Sequence, residues 1–102
     1  MHPILNTYKK NIVAICKSLR IKQMYVFGSM AKNSYDNSSD IDLLISFEDD
    51  ITNEEYSENY FTLHHKLREL LKKEIDIVTE RSLSNPYFIK KINNEKLLIY
   101  ER

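Results

Sequence analysis

At 102 residues, with 42% hydrophobic and 29% charged side chains, the chain has the composition of a soluble globular protein, and disorder is excluded. Fifteen basic and fifteen acidic residues cancel, so the broad positive field of a nucleic-acid binder is absent and no stable nucleic-acid binding is expected. Cys16 stands alone, which excludes an internal disulfide and fits a reducing cytoplasm.

No apolar run approaches the roughly 18 to 20 residues that cross a bilayer. Pro3, Lys9, Lys10 and Lys17 break up the N-terminal apolar stretches, unlike a secretory signal. The expectation is one cytoplasmic domain spanning residues 1–102, away from membranes.

Ile4, Leu5, Tyr8, Ile12, Ile15, Cys16 and Leu19 recur at helical spacing and predict one amphipathic helix from Pro3 to Arg20. Cys16 lies on its apolar stripe and is expected to be a buried, inert thiol. Met24–Phe27 reads as a short buried strand ending at Gly28, and Ser29–Lys32 as a brief helix. The polar run Asn33–Ser39 is a loop that delivers the chain into a second strand, Asp40–Phe47. Glu48-Asp49-Asp50 reads as a solvated turn.

A long helix is expected from Asn53 to Lys73, its apolar face marked by Tyr56, Tyr60, Leu63, His64, Leu67, Leu70 and Leu71. Ile75–Val78 is a third strand. Asn85-Pro86 supplies a cap and an N1 proline for a helix over Pro86–Ile92, ended by Asn93-Asn94. Leu97–Tyr100 closes as a fourth strand. The alternation gives an α/β (α+β) class, with helices packed on a small mixed sheet.

The chemistry concentrates in Phe27-Gly28-Ser29-Met30-Ala31 and Asp40-Ile41-Asp42. Residues i and i+2 of a strand project to the same face, so Asp40 and Asp42 can converge on divalent cations. Oxygen-only donors suit Mg²⁺ or Mn²⁺ and disfavour zinc. Asp76, set among Ile75, Ile77 and Val78, joins them if its strand lies beside that of Asp42, and could bind metal or accept a proton.

Gly28 is the only glycine, so a backbone need at that position is implied. It would let the chain approach phosphate oxygens while Ser29 and helix N-terminal amides donate. P-loop and dinucleotide-binding motifs are absent. His64 is read as a hydrogen-bonded core residue and His65 as exposed. The pairs Lys9-Lys10, Lys72-Lys73 and Lys90-Lys91 are read as solvated helix edges.

Gly28-Ser29-Met30-Ala31-Lys32, then Ser39-Asp40-Ile41-Asp42-Leu43-Leu44, then Asp76, resembles the DNA polymerase β-like nucleotidyltransferase superfamily, most closely its minimal nucleotidyltransferase (MNT) branch. The resemblance covers nearly the whole chain and implies that fold. It also implies that Gly28 and Ser29 hold a triphosphate, that Asp40 and Asp42 bind the metals, and that Asp76 completes a catalytic carboxylate triad.

The implied reaction moves AMP from ATP to a tyrosine hydroxyl of a partner HEPN-domain RNase toxin, releasing pyrophosphate and silencing the toxin. Lys32-Asn33 stands where the family commonly has Arg-Gly, which replaces a planar fork by a point charge. Two other readings are an antitoxin that neutralises by binding alone and a nucleotidyltransferase acting on a small molecule. A homo-oligomer is compatible with all three.

Overall fold

The computed structural model describes residues 2–32, 36 and 38–102. The strands are β1 (Ile21–Phe27), β2 (Ile41–Phe47), β3 (Ile75–Thr79) and β4 (Leu97–Glu101). The helices are α1 (Pro3–Thr7), α2 (Lys9–Ser18), α3 (Asn53–Leu71) and α4 (Pro86–Glu95). The sheet order is β3-β2-β1-β4, with β2 and β3 parallel and β1 antiparallel to both β2 and β4. The mixed α/β class is as the sequence implied. Of the expected loop Asn33–Ser39, residues 33–35 and 37 lie outside the described residues.

The expected single N-terminal helix is two helices. Thr7 donates its hydroxyl to the Pro3 carbonyl at 3.1 Å, a local bond that competes with continued helix, and Tyr8 leaves helical geometry at φ −102°, ψ 14°. His2 caps α1 by accepting from the Ile4 N–H at 3.0 Å. α3 starts with a reciprocal capping box between Thr52 and Glu55 and stops two residues early, where Lys72 takes a left-handed conformation.

The sheet is covered on both faces. Ile41, Leu43, Ile45 and Phe47 of β2 pack into the main core with Leu5, Ile12 and Cys16 of the N-terminal helices and Leu63, Leu67 and Leu71 of α3. On the other face Phe27, Leu44 and Ile92 form a smaller cluster under α4. β2 therefore reads as nearly continuous apolar sequence, as a doubly covered central strand must.

β3 is an edge strand, and α3 finishes its hydrogen bonding. Tyr60 donates to the Ile77 carbonyl at 3.2 Å, and His64 Nε2 bonds the Ile75 carbonyl at 2.8 Å. His64 is thus the hydrogen-bonded residue the sequence suggested.

The Glu48-Asp49-Asp50 turn is more than solvated. Arg20 pairs with Glu48, Asp50 and Glu55, while Arg102 also reaches Glu48. These hydrogen bonds raise the Arg20 guanidinium above its usual range, with Glu48 contributing most.

Cys16 is wholly buried, and that desolvation pushes its thiol up to about 12. A thiol reagent should leave the native protein unlabelled and modify one site per chain in denaturant, a contrast read directly by mass spectrometry. Native labelling would show the N-terminal helices opening readily.

Candidate active site

The site forms where β1 ends. Phe27 pairs with Asp42 across the β1–β2 ladder, so the next residue, Gly28, turns directly beside that carboxylate. Gly28 has φ +69°, and a β-carbon there would stand 2.5 Å from Asp42 Oδ2. Two constraints therefore select the chain's only glycine: left-handed backbone and the space taken by the Asp42 carboxylate.

Ser29 lies in the same turn, a three-residue 3₁₀ segment Gly28–Met30 and not the longer Ser29–Lys32 helix expected. Ala31 and Lys32 close it by donating to the Gly28 and Ser29 carbonyls. So short a segment adds little dipole, leaving individual backbone amides and the Ser29 hydroxyl as its donors.

Asp42 and Asp76 occupy matched positions on the parallel strands β2 and β3. Neighbouring strands lie about 4.8 Å apart, so the two carboxylates meet on the α4 side of the sheet. Burial raises Asp42 to about 6, helped by the negative charge of Asp76, a hydrogen bond shared with it, and the charge of Asp40. Asp40, immediately before β2, is exposed. Among the described residues, no three His, Cys, Asp or Glu side chains are already gathered as a metal site. The structure thus unites two of the predicted acids and keeps the third within electrostatic reach.

The donor set nevertheless fits a hard divalent cation. Two carboxylates held together, one burdened by burial and by like charge, are relieved by a cation that both can bind, and every donor is oxygen. The elements also leave an open cleft of about 530 Å³, lined by Gly28, Asp42, Asp76, Phe88, Lys91 and Glu95 among others.

No sequence motif marks Phe88, Lys91 or Glu95 as site residues. They are spaced three and four residues apart and so form one stripe of α4. α4 continues through Asn93-Asn94 to Glu95, where the Lys96 N–H still bonds the Ile92 carbonyl. The expected end at Ile92 omits the turn that carries Glu95. Lys91, read as a solvated edge, lines the cleft and acts to lower Asp42.

The polymerase beta nucleotidyltransferase family profile matches residues 10–102. "Putative protein adenylyltransferase MJ0126" of Methanocaldococcus jannaschii is 32% identical over 94% of this chain and 91% of its own length. A solved structure described as a putative minimal nucleotidyltransferase superposes with a TM-score of 0.74 at 29% identity, covering 91% of this chain and 90% of that one.

A chain of a toxin–antitoxin crystal structure with AMP-PNP superposes at 0.71 and 21% identity, covering 92% and 73%. Another comes from a tri-AMPylated Shewanella oneidensis HEPN toxin in complex with its MNT antitoxin. It superposes at 0.67 and 19% identity, covering 96% and 73%. At those identities the last two likenesses show the fold.

Proposed function

The chain belongs to the polymerase beta nucleotidyltransferase family, and from that premise we propose that it is an antitoxin that transfers AMP from ATP to a tyrosine hydroxyl of a HEPN-type toxin. The observation that carries this reading is the Asp42–Asp76 pair set against a glycine turn that a side chain would block. The relatives named as protein adenylyltransferases support AMP transfer, and the toxin–antitoxin neighbours support a HEPN partner. Mg²⁺ or Mn²⁺ would be held by Asp42 and Asp76, with Asp40 beside them, and would supply charge neutralisation at the phosphates.

The chain's own residues then do the following. The Gly28–Ser29 turn gives the triphosphate room against the backbone. Lys91 places positive charge at the cleft wall. The acceptor oxygen bonds to the α-phosphorus, the bond from that phosphorus to the bridging oxygen breaks, and pyrophosphate leaves with its electron pair. The hydroxyl proton passes to the carboxylate of Asp76, which stands beside Asp42 on the neighbouring strand.

Incubation of the protein with labelled ATP, Mg²⁺ and its partner toxin should label the toxin by one or more AMP units on tyrosine. Chelation of the metal should stop labelling. Unmodified toxin in the presence of active wild type and metal overturns the catalytic reading.

A second reading, neutralisation by docking alone, is favoured by the exposed aromatic groups Phe61 and Tyr87, 70% and 86% accessible. It predicts that the doubly substituted Asp40→Ala/Asp42→Ala protein still protects cells from the toxin. No helix among the described residues is long and apolar enough to cross a membrane. We place the protein in the cytoplasm, where ATP is available.

A further inference from the structure

Glu95 is an acid inside a cleft that must receive a polyanion. Its side chain is only 11% accessible, and Oε1 bonds Lys32 Nζ at 2.8 Å. Oε2 is buried and has no hydrogen-bond partner among the described residues. The Lys32 hydrogen bond, more than any other contact, holds the Glu95 carboxyl below its ordinary range, and the nearby Gly28 N–H acts in the same direction. Glu95 therefore reaches from the last turn of α4 to Lys32, just beyond the Gly28–Met30 turn.

We propose that Glu95 is a positioning residue for nucleotide binding: with Lys32 it clamps the Gly28–Lys32 turn to α4 and so fixes the phosphate end of the cleft. This rests on the adenylyltransferase reading of the same site. A buried carboxylate with one committed oxygen is a costly group that a merely structural contact could replace by apolar packing.

Its location gives the clamp a function. The segment it holds begins at Gly28, where an added β-carbon would stand 2.5 Å from Asp42 Oδ2, so the turn it steadies is the wall against which the phosphates would rest. Glu95 bonds Lys32 and is not among the groups that shift Asp42. Its loss should therefore weaken binding of the triphosphate more than it slows transfer from bound ATP.

The orphan oxygen gives a second handle. Lysine is a single point charge and reaches only Oε1, whereas the guanidinium fork of arginine can meet both oxygens. Lys32→Arg should tighten the clamp that Glu95→Gln loosens.

The test is calorimetric binding of tripolyphosphate and ATP with Mg²⁺, joined to transfer kinetics, for wild type, Glu95→Gln, Glu95→Ala and Lys32→Arg. Both Glu95 variants should bind tripolyphosphate at least tenfold more weakly and raise the KM for ATP by a similar factor, with kcat within about threefold. Lys32→Arg should bind as tightly as wild type or tighter.

Unchanged KM with a lowered melting temperature would make Glu95 structural only. Tighter binding on its removal would make it a competitor of phosphate. Either overturns the proposal, as does a wild type that binds no tripolyphosphate. If wild type binds it and the Glu95 variants bind it weakly, the clamp stands even where no AMP reaches the toxin, a result that counts against the adenylyltransferase reading alone.

Discussion

Replacing Asp42 with asparagine is expected to abolish AMP transfer and, in the metal-free protein, to raise the melting temperature. The two effects have one cause. Asp42 is partly buried beside Asp76, and burial first, then the like charge, raise it to about 6. An unfolded aspartate titrates near 3.9, so the native state holds this proton more tightly by about two pH units.

The sign follows from linkage. The native state binds more protons than the unfolded one between about pH 4 and 6, so this group's contribution to stability falls as pH rises through that window. Below it the carboxyl is neutral in both states and costs nothing. Above it the full penalty is present. Two units correspond to about 2.7 kcal/mol, and solvent reaching the open cleft reduces that to roughly 1–2 kcal/mol. For a domain of this size, each kcal/mol moves the melting temperature by about 4–8 °C.

The asparagine side chain carries no charge and removes the penalty. The melting temperature of Asp42→Asn at pH 7 should exceed that of wild type by several degrees, and the gap should close as the pH is lowered to 4. Mg²⁺ should raise the wild-type melting temperature and leave Asp42→Asn nearly unmoved, since the cation relieves the repulsion that the substitution has already removed. Transfer should fall by at least about 10²- to 10³-fold, the loss typical of removing one electrostatic stabiliser of a transition state. A stability gap between the two proteins that is equal at pH 7 and pH 4 would show that Asp42 is not raised in the native state. Undiminished transfer would remove Asp42 from the chemistry.

What can be read from the sequence follows from which forces are local. β2 announces itself because a strand buried on both faces is apolar almost throughout, and an aspartate within it is conspicuous. α4 begins at its expected residue because Asn85 caps it through local bonds to the Tyr87 and Phe88 N–H groups. Its end is hidden because Asn93-Asn94 resembles a stop signal, whereas the packing of Ile92 carries the helix one turn further.

That extra turn brings Glu95 to Lys32 across 63 positions, a pairing no spacing rule can reveal. The Asp42–Asp76 register is of the same kind, since it depends on β3 returning parallel to β2 after α3. Gly28 lies between these cases. Its solitude in the composition marks it, but only the fold shows that the space it leaves belongs to Asp42.

Gly28→Ala is therefore expected to damage both stability and transfer, and the damage should depend on Asp42. Left-handed backbone costs an alanine roughly 1–2 kcal/mol relative to glycine. The added β-carbon would also lie 2.5 Å from Asp42 Oδ2, closer than such atoms pack, so the carboxylate has to swing away or the turn has to shift. The hydrogen bond that Asp42 shares with Asp76 resists that swing.

The total cost should reach about 2–3 kcal/mol, with transfer reduced about a hundredfold through misplacement of the carboxylate. A double-mutant cycle separates the contributions. In an Asp42→Ala background the clash is gone, and Gly28→Ala should then cost only the backbone strain, leaving a coupling energy of roughly 1 kcal/mol. Denaturant unfolding of the four proteins measures it. Strict additivity would mean that Gly28 is required by its dihedral angle alone and that Asp42 has room to spare.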